Sequence, residues 1–335
     1  MRINYRCFRF GLAVGIVFLG SILVSEASAE KLQKVTFRYS WVLYGHAPAY
    51  YYAKELGYFE KEGLDVTILT GTGSGTSVKL MGAGKQMFGT ADYGTMMKGI
   101  ARGVPVIGIY DILQTHPMSV VSRTELGIMK PADLVGKSIA VTAGGGDQAV
   151  LPAFLAVNNL KDKVRVVQLS SGGTKREALL QGKIDAIVAY VNEQVPQIEA
   201  TGVKLNVLRF GDYGAPLLGT GILVNTKTLK EKDTIRGFLR AITRGLLAAQ
   251  KNPDAAVDAA LKQFKERKRS TTLRELKASF PLFHTENTKG KPLGWMDKRD
   301  WEKAQEILLQ YGGLKKKLPV ERYFTNEFIP MSTSR

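Results

Sequence analysis

The chain has 335 residues, with 47 Lys and Arg against 30 Asp and Glu for a formal net charge of +17, and one cysteine, Cys7. Cys7 lies within what reads as a removable leader, so the mature chain has no cysteine; disulfides, thiolate nucleophiles, cysteine zinc sites and iron–sulfur ligation are excluded. The charge would suit nucleic acid, anionic lipid or an acidic ligand, but the densest basic runs, 262–269 and 315–317, carry no series of interleaved aromatics for stacking bases, so it reads as a surface property with no nucleic-acid partner.

Arg2, Arg6 and Arg9 precede an apolar run over 11–24, followed by Ala27-Ser28-Ala29. This is the pattern of a secretory signal peptide over residues 1–29, cleaved before Glu30. A membrane anchor would need about 20 apolar residues, more than the run holds. Cys7 lies before the run, so no lipid-modified cysteine begins the mature chain, which is expected in the periplasm. The remaining 306 residues carry +15, enough for two α/β lobes of ordinary size.

Residues 34–40 alternate apolar and polar as a half-buried strand does. Residues 46–63 read as a helix and its exit, with Pro48 in the first turn and Gly57 as the stop. A strand over 64–69 runs into Gly71-Thr72-Gly73-Ser74-Gly75, which opens a helix ending near Gly82. Strand 87–91, helix 93–102 and strands 104–110 and 119–122 follow. Past Gly136 the alternation restarts with strand 138–141, a glycine turn at Gly144-Gly145-Gly146, helix 148–158, strand 164–169, helix 175–181 and strand 184–189. A return strand over 219–225 precedes helices 233–251 and 253–265, a break, and helix 300–311. Strands separated by helices imply βαβ crossovers and largely parallel sheets. The restart implies two doubly wound α/β lobes joined by a hinge, with residues 30–121 and 220–335 in lobe one and 122–219 in lobe two.

Gly136-Lys137-Ser138 looks like the end of a phosphate loop, but Pro131 stands where its first glycine belongs and a strand follows. The glycine turns at 71–75 and 144–146 each open a helix, where free N–H groups can meet ligand oxygens; taken singly, each is more simply a tight turn. Asp147 at the second turn favours a capping role and disfavours a phosphate, so a neutral or weakly cationic ligand fits better there. Trp41 follows the first strand at the end where open α/β sheets place ligands, although a core tryptophan would read the same. Tyr190, Asn192 and Glu193 occupy the corresponding place in the second lobe. They can stack a flat ring and accept from its amino group, or start a helix capped by Asn192. His46, His116 and His284 show no metal-ligand spacing, so neither metal nor cofactor is expected, and nothing matches Gly-x-Ser-x-Gly.

The residues from Trp41 through His46-Ala47-Pro48, the run 53–65, Arg102-Gly-Val-Pro105, Asp133-Leu-Val-Gly-Lys137 and Gly182-Lys-Ile-Asp185 resemble the bacterial periplasmic thiamine-pyrimidine-binding proteins and their eukaryotic relatives, the thiamine-pyrimidine synthases. The broader group takes nitrate, taurine and alkanesulfonates. Tyr190-Val-Asn-Glu193 and Tyr323-Phe-Thr-Asn-Glu-Phe328 carry the narrower likeness. The resemblance implies a type II periplasmic-binding-protein fold, with Trp41 and Tyr190 stacking a pyrimidine and Glu193 bonding its amino group. The synthases use a histidine with iron and a cysteine-rich stretch; this chain matches His46 but reads Leu217-Leu-Gly-Thr-Gly221 in place of the cysteines. His46 is therefore expected as a cleft-wall contact.

These readings converge on a binding protein rather than an enzyme, one that feeds an ABC permease of the inner membrane. Closure is expected to bring Trp41, His46 and Asp92 or Tyr93 against Gly144, Gly145, Tyr190, Asn192 and Glu193 around a small planar heterocycle. The alternatives are a sulfonate, nitrate or aromatic-acid binder, which would want a cleft arginine, and an exported synthase-like enzyme with iron at His46.

Overall fold

The computed structural model describes Met1, residues 32–143 and residues 146–331. Apart from Met1, the expected leader with its cleavage point falls outside the described residues, as do Gly144 and Gly145.

The chain begins β1 (Gln33–Arg38), α1 (Pro48–Glu55), β2 (Leu64–Leu69), α2 (Ser74–Gly82), β3 (Phe88–Asp92), α3 (Tyr93–Ala101) and β4 (Val106–Asp111). It continues β5 (Met118–Arg123), β6 (Ser138–Thr142), α4 (Gly146–Val157), β7 (Arg165–Leu169), α5 (Gly172–Leu180), β8 (Ala186–Tyr190), α6 (Gln194–Glu199) and β9 (Leu205–Arg209). It ends β10 (Thr220–Asn225), α7 (Lys232–Lys251), α8 (Pro253–Leu261), α9 (Arg269–Ser279) and α10 (Lys298–Gln310). No helix among the described residues is long and apolar enough to cross a membrane.

Two five-stranded sheets result, ordered β2-β1-β3-β10-β4 and β7-β6-β8-β5-β9. Largely parallel sheets were expected, but β10 runs antiparallel to β3 and β4, and β5 runs antiparallel to β8 and β9. The reason is connectivity: β5 and β10 are the strands on which the chain changes sheet, and no crossover helix turns them round. The boundary expected at 121/122 cuts through β5, which pairs only within the second sheet; the crossing lies in residues 112–117. The two crossings bond to each other, with Ile112 N and Leu113 N donating to Thr220 O at 3.1 and 2.9 Å and His116 N to Leu217 O at 3.0 Å.

Buried apolar side chains follow the sheets. One core runs through residues 35–113 and 217–329, joined by Ala153, and two smaller ones flank the second sheet within 118–215. In the first half, α7 buries Ile235, Phe238, Ile242, Leu246 and Ala249, the three-to-four spacing of one helix face. Phe238 stacks on Phe88 at 3.9 Å between centroids. Gly245 lets α7 approach α1, since a Cβ there would fall 2.5 Å from that of Ala53 and 2.8 Å from the Ala49 carbonyl. Two elements escaped the sequence reading: β9, and α9, which occupies the expected break; the short α6, expected as one reading of residues 190–193, starts at Gln194 after Glu193 and not from an Asn192 cap. The polar α9 sequence has little helical signature of its own and packs against α8 and α6.

Candidate functional site

The carboxyl ends of strands from both sheets point into one cavity of about 720 Å³, the position that open α/β sheets give to ligands. From the first half come Trp41, Tyr44, Ser74 and Asp92; from the second come Thr142, Asp147, Lys175, Tyr190 and Glu193; His116 comes from the crossing between them.

Asp92 ends β3 and caps α3. Its Oδ1 accepts from Thr95 N at 2.7 Å and Thr95 Oγ1 at 2.9 Å, while its own N–H donates to Ser74 Oγ at 2.9 Å. The other oxygen lies 3.1 Å from His116 Nε2. Met118 N–H donates to His116 Nδ1 at 3.2 Å, so Nδ1 carries no proton in this arrangement and Nε2–H donates to Asp92. Burial pushes the Asp92 carboxyl up, but the hydrogen bonds from His116 and Thr95 outweigh it and hold it below its usual value. The His116 ring meets Tyr190 edge-on at 5.7 Å.

On the opposite wall β8 ends in Tyr190, whose N–H donates to Gln194 Oε1 at 3.0 Å. Three residues on, Glu193 opens α6, and among the described residues its carboxyl has no hydrogen-bond partner. Burial and the charge of Glu275 push it up to about 7, against the pull of Arg267 and Lys175. Lys175, in the first turn of α5, pairs with Asp147, and its ammonium also donates to Val188 O at 2.7 Å. Asp147 was expected as a helix N-terminal carboxylate, and in the first turn of α4 its Oδ1 accepts from Gln148 N at 3.0 Å; its Oδ2 also accepts from Thr142 N at 2.8 Å and holds Lys175.

Of the residues expected in the site, Trp41, Asp92, Tyr190 and Glu193 line the cavity. His46, Tyr93 and Asn192 do not. His46 is fully buried edge-on against Tyr39 and Tyr50 at 5.7 and 5.5 Å, neither ring nitrogen has a partner among the described residues, and burial lowers its pKa to about 3. Tyr93 turns into the first core, where its hydroxyl donates to Tyr110 O at 2.8 Å and its ring meets Trp301. Asn192 faces away from the cavity, with Nδ2 donating to Ser279 Oγ at 3.1 Å beside Gly45, which holds φ +56°. Gly144 and Gly145 lie outside the described residues. Lys175, His116 and Tyr44 were missed, because their places depend on partners distant in sequence. Lys175, four residues after the cap Ser171, was the most findable as a helix first-turn residue.

The cavity wall carries three carboxylates, Asp92, Asp147 and Glu193, against two lysines, Lys98 and Lys175; no arginine lines it among the described residues. The +17 charge therefore does not extend to the ligand space. Residues 216–335 hold 24 of the 47 basic residues and 13 of the 30 acidic ones, which places most of the excess in the C-terminal helical third.

The family model described as NMT1/THI5 like matches residues 45–256. A riboflavin-binding protein of Chloroflexus aurantiacus is 26% identical, covering 89% of this chain and 87% of its own. A formylaminopyrimidine-binding protein of Halalkalibacterium halodurans is 25% identical over 94% of this chain and 97% of its own. A Legionella pneumophila protein named 4-amino-5-hydroxymethyl-2-methylpyrimidine phosphate synthase is 23% identical over 91% and 95%. Among solved structures, the periplasmic aliphatic sulphonate binding protein SsuA of Escherichia coli superposes with a TM-score of 0.67 at 12% identity, over 86% of this chain and 91% of that one. This likeness shows the periplasmic-binding-protein fold.

Proposed function

The chain belongs to the NMT1/THI5-like family, and from that premise we propose that it is the exported solute-binding component of an ABC importer, closing on a small planar heterocycle such as a thiamine pyrimidine precursor. The observation that carries this reading is the cavity wall. Trp41, Tyr44 and Tyr190 offer flat apolar faces, and Glu193 offers an unbonded carboxyl, so a ring can stack while its amino group donates to the acid. The excess of carboxylates over cations disfavours a sulfonate, nitrate or aromatic acid.

In this reading residues 1–29 direct export and are removed, and the halves move as lobes hinged at the paired crossings. The placement of His46 supports a binding role over synthase chemistry. His46, the residue that the resemblance makes the candidate reactant, is sealed among tyrosines outside the cavity. A second reading, a larger fused heterocycle of the riboflavin type, is favoured by the volume of about 720 Å³, more than a single pyrimidine fills.

The test is thermal unfolding of the protein lacking residues 1–29 with aminopyrimidines, riboflavin, taurine, alkanesulfonates and nitrate, since a ligand of the folded state raises the midpoint. A rise with aminopyrimidines supports the reading. A rise with riboflavin alone favours the second, and a rise with anions alone overturns both.

A further inference from the structure

Lys175 has only 2% of its surface exposed and forms part of the cavity wall. An ammonium has three N–H donors, and among the described residues two acceptors meet them, the Asp147 carboxylate and the Val188 carbonyl. Asp147, also in the wall and 8% exposed, is held in turn by the backbone N–H groups of Thr142 and Gln148. Desolvation makes a buried ion pair a poor way to stabilise a wall that apolar side chains could fill. What the pair supplies is a rigid, charged donor at the edge of a ligand cavity. Lys175 and Glu193 both line the cavity from the second half, so donor and acceptor share one wall.

We infer that Lys175 determines specificity, its third N–H donating to a ring nitrogen or carbonyl oxygen of the ligand while Asp147 keeps the ammonium aimed. With Glu193 accepting from an amino group or ring N–H, the second half reads a donor beside an acceptor on one ring edge. The ligand class narrows to heterocycles with that edge, such as aminopyrimidines and cyclic amides; simple aromatic amines and acids are rejected. The inference rests on the planar-heterocycle reading above.

The experiment is calorimetric titration of the protein lacking residues 1–29 with 4-aminopyrimidine and with aniline. Both are uncharged at neutral pH and carry the amino donor, but only the first has ring acceptors. The wild type prefers 4-aminopyrimidine at least about tenfold, the effect of a charge-assisted bond. In Lys175→Met the preference falls to within about twofold, and in Lys175→Gln, which keeps an N–H, it is partly restored. Lys175→Met strands a buried carboxylate, so if it does not fold, Lys175→Met/Asp147→Leu carries the comparison. An unchanged preference, or equal weakening for both probes, overturns the inference and leaves the heterocycle reading standing. A wild type that binds neither probe overturns the single-ring reading and the inference with it.

Discussion

Glu193 concentrates the chemistry of the site in one carboxyl, which is half-buried, has no hydrogen-bond partner among the described residues and is pushed up to about 7. Glu193→Ala is expected to weaken heterocycle binding at least about tenfold, the loss of one charge-assisted bond, as measured by calorimetry. The carboxylate is the better acceptor, so affinity should rise with pH through about 7. Stability moves the other way. The native value lies above the ordinary 4.5, so between these values the folded state keeps a proton that the unfolded state has released, and stability falls as pH rises. The unfolding midpoint of the ligand-free wild type should therefore drop relative to Glu193→Gln between about pH 5 and pH 8; parallel curves would refute the assignment. At this scale, Trp41, Asp92, Tyr190 and Glu193 were legible because each stands at or just past the carboxyl end of a strand. Asp92 and Tyr93 show the limit of that rule: adjacent side chains take opposite directions, and only packing against Trp301 reveals which one enters the core.

Among the elements, the long amphipathic helices were readable and the polar ones were not. The apolar spacing of α7 fixes its buried face before any neighbour is known. The identity of that neighbour depends on Gly245, where the α1 backbone comes within reach of any added atom. Gly245→Ala should destabilise the protein by about 1 to 3 kcal/mol through overpacking, seen as a lower urea midpoint, with ligand affinity unchanged because the contact lies in the first core. By contrast, α9 over Arg269–Ser279 is mostly polar, and its buried positions include Thr272, Glu275 and Ser279. Their burial comes from packing partners, so apolar periodicity could not announce the helix.

At the scale of the whole molecule, α9 links the halves away from the cavity. Gln197 Nε2 on α6 donates to Glu275 Oε1 on α9 at 2.9 Å, and Asn192 donates to Ser279. In the proposed closing motion these bonds form a brace that touches no ligand. Gln197→Ala should weaken binding about 3- to 10-fold, and small-angle scattering should find a larger radius of gyration for the liganded variant than for the liganded wild type; equal radii and affinities would remove the brace from the closing motion. Export is checked separately: mass spectrometry of the secreted protein should find Glu30 at its N-terminus. The sequence by itself determined the plan of two α/β halves and the strand ends that reach the site, because composition and local periodicity carry that information. Only the tertiary structure decided the antiparallel crossing strands, the sealing of His46, the turn of Asn192 away from the cavity, and the pairing of Asp147 with Lys175. Each of those depends on which distant side chain shares a buried space, and desolvation, which no local pattern records, sets the outcome there.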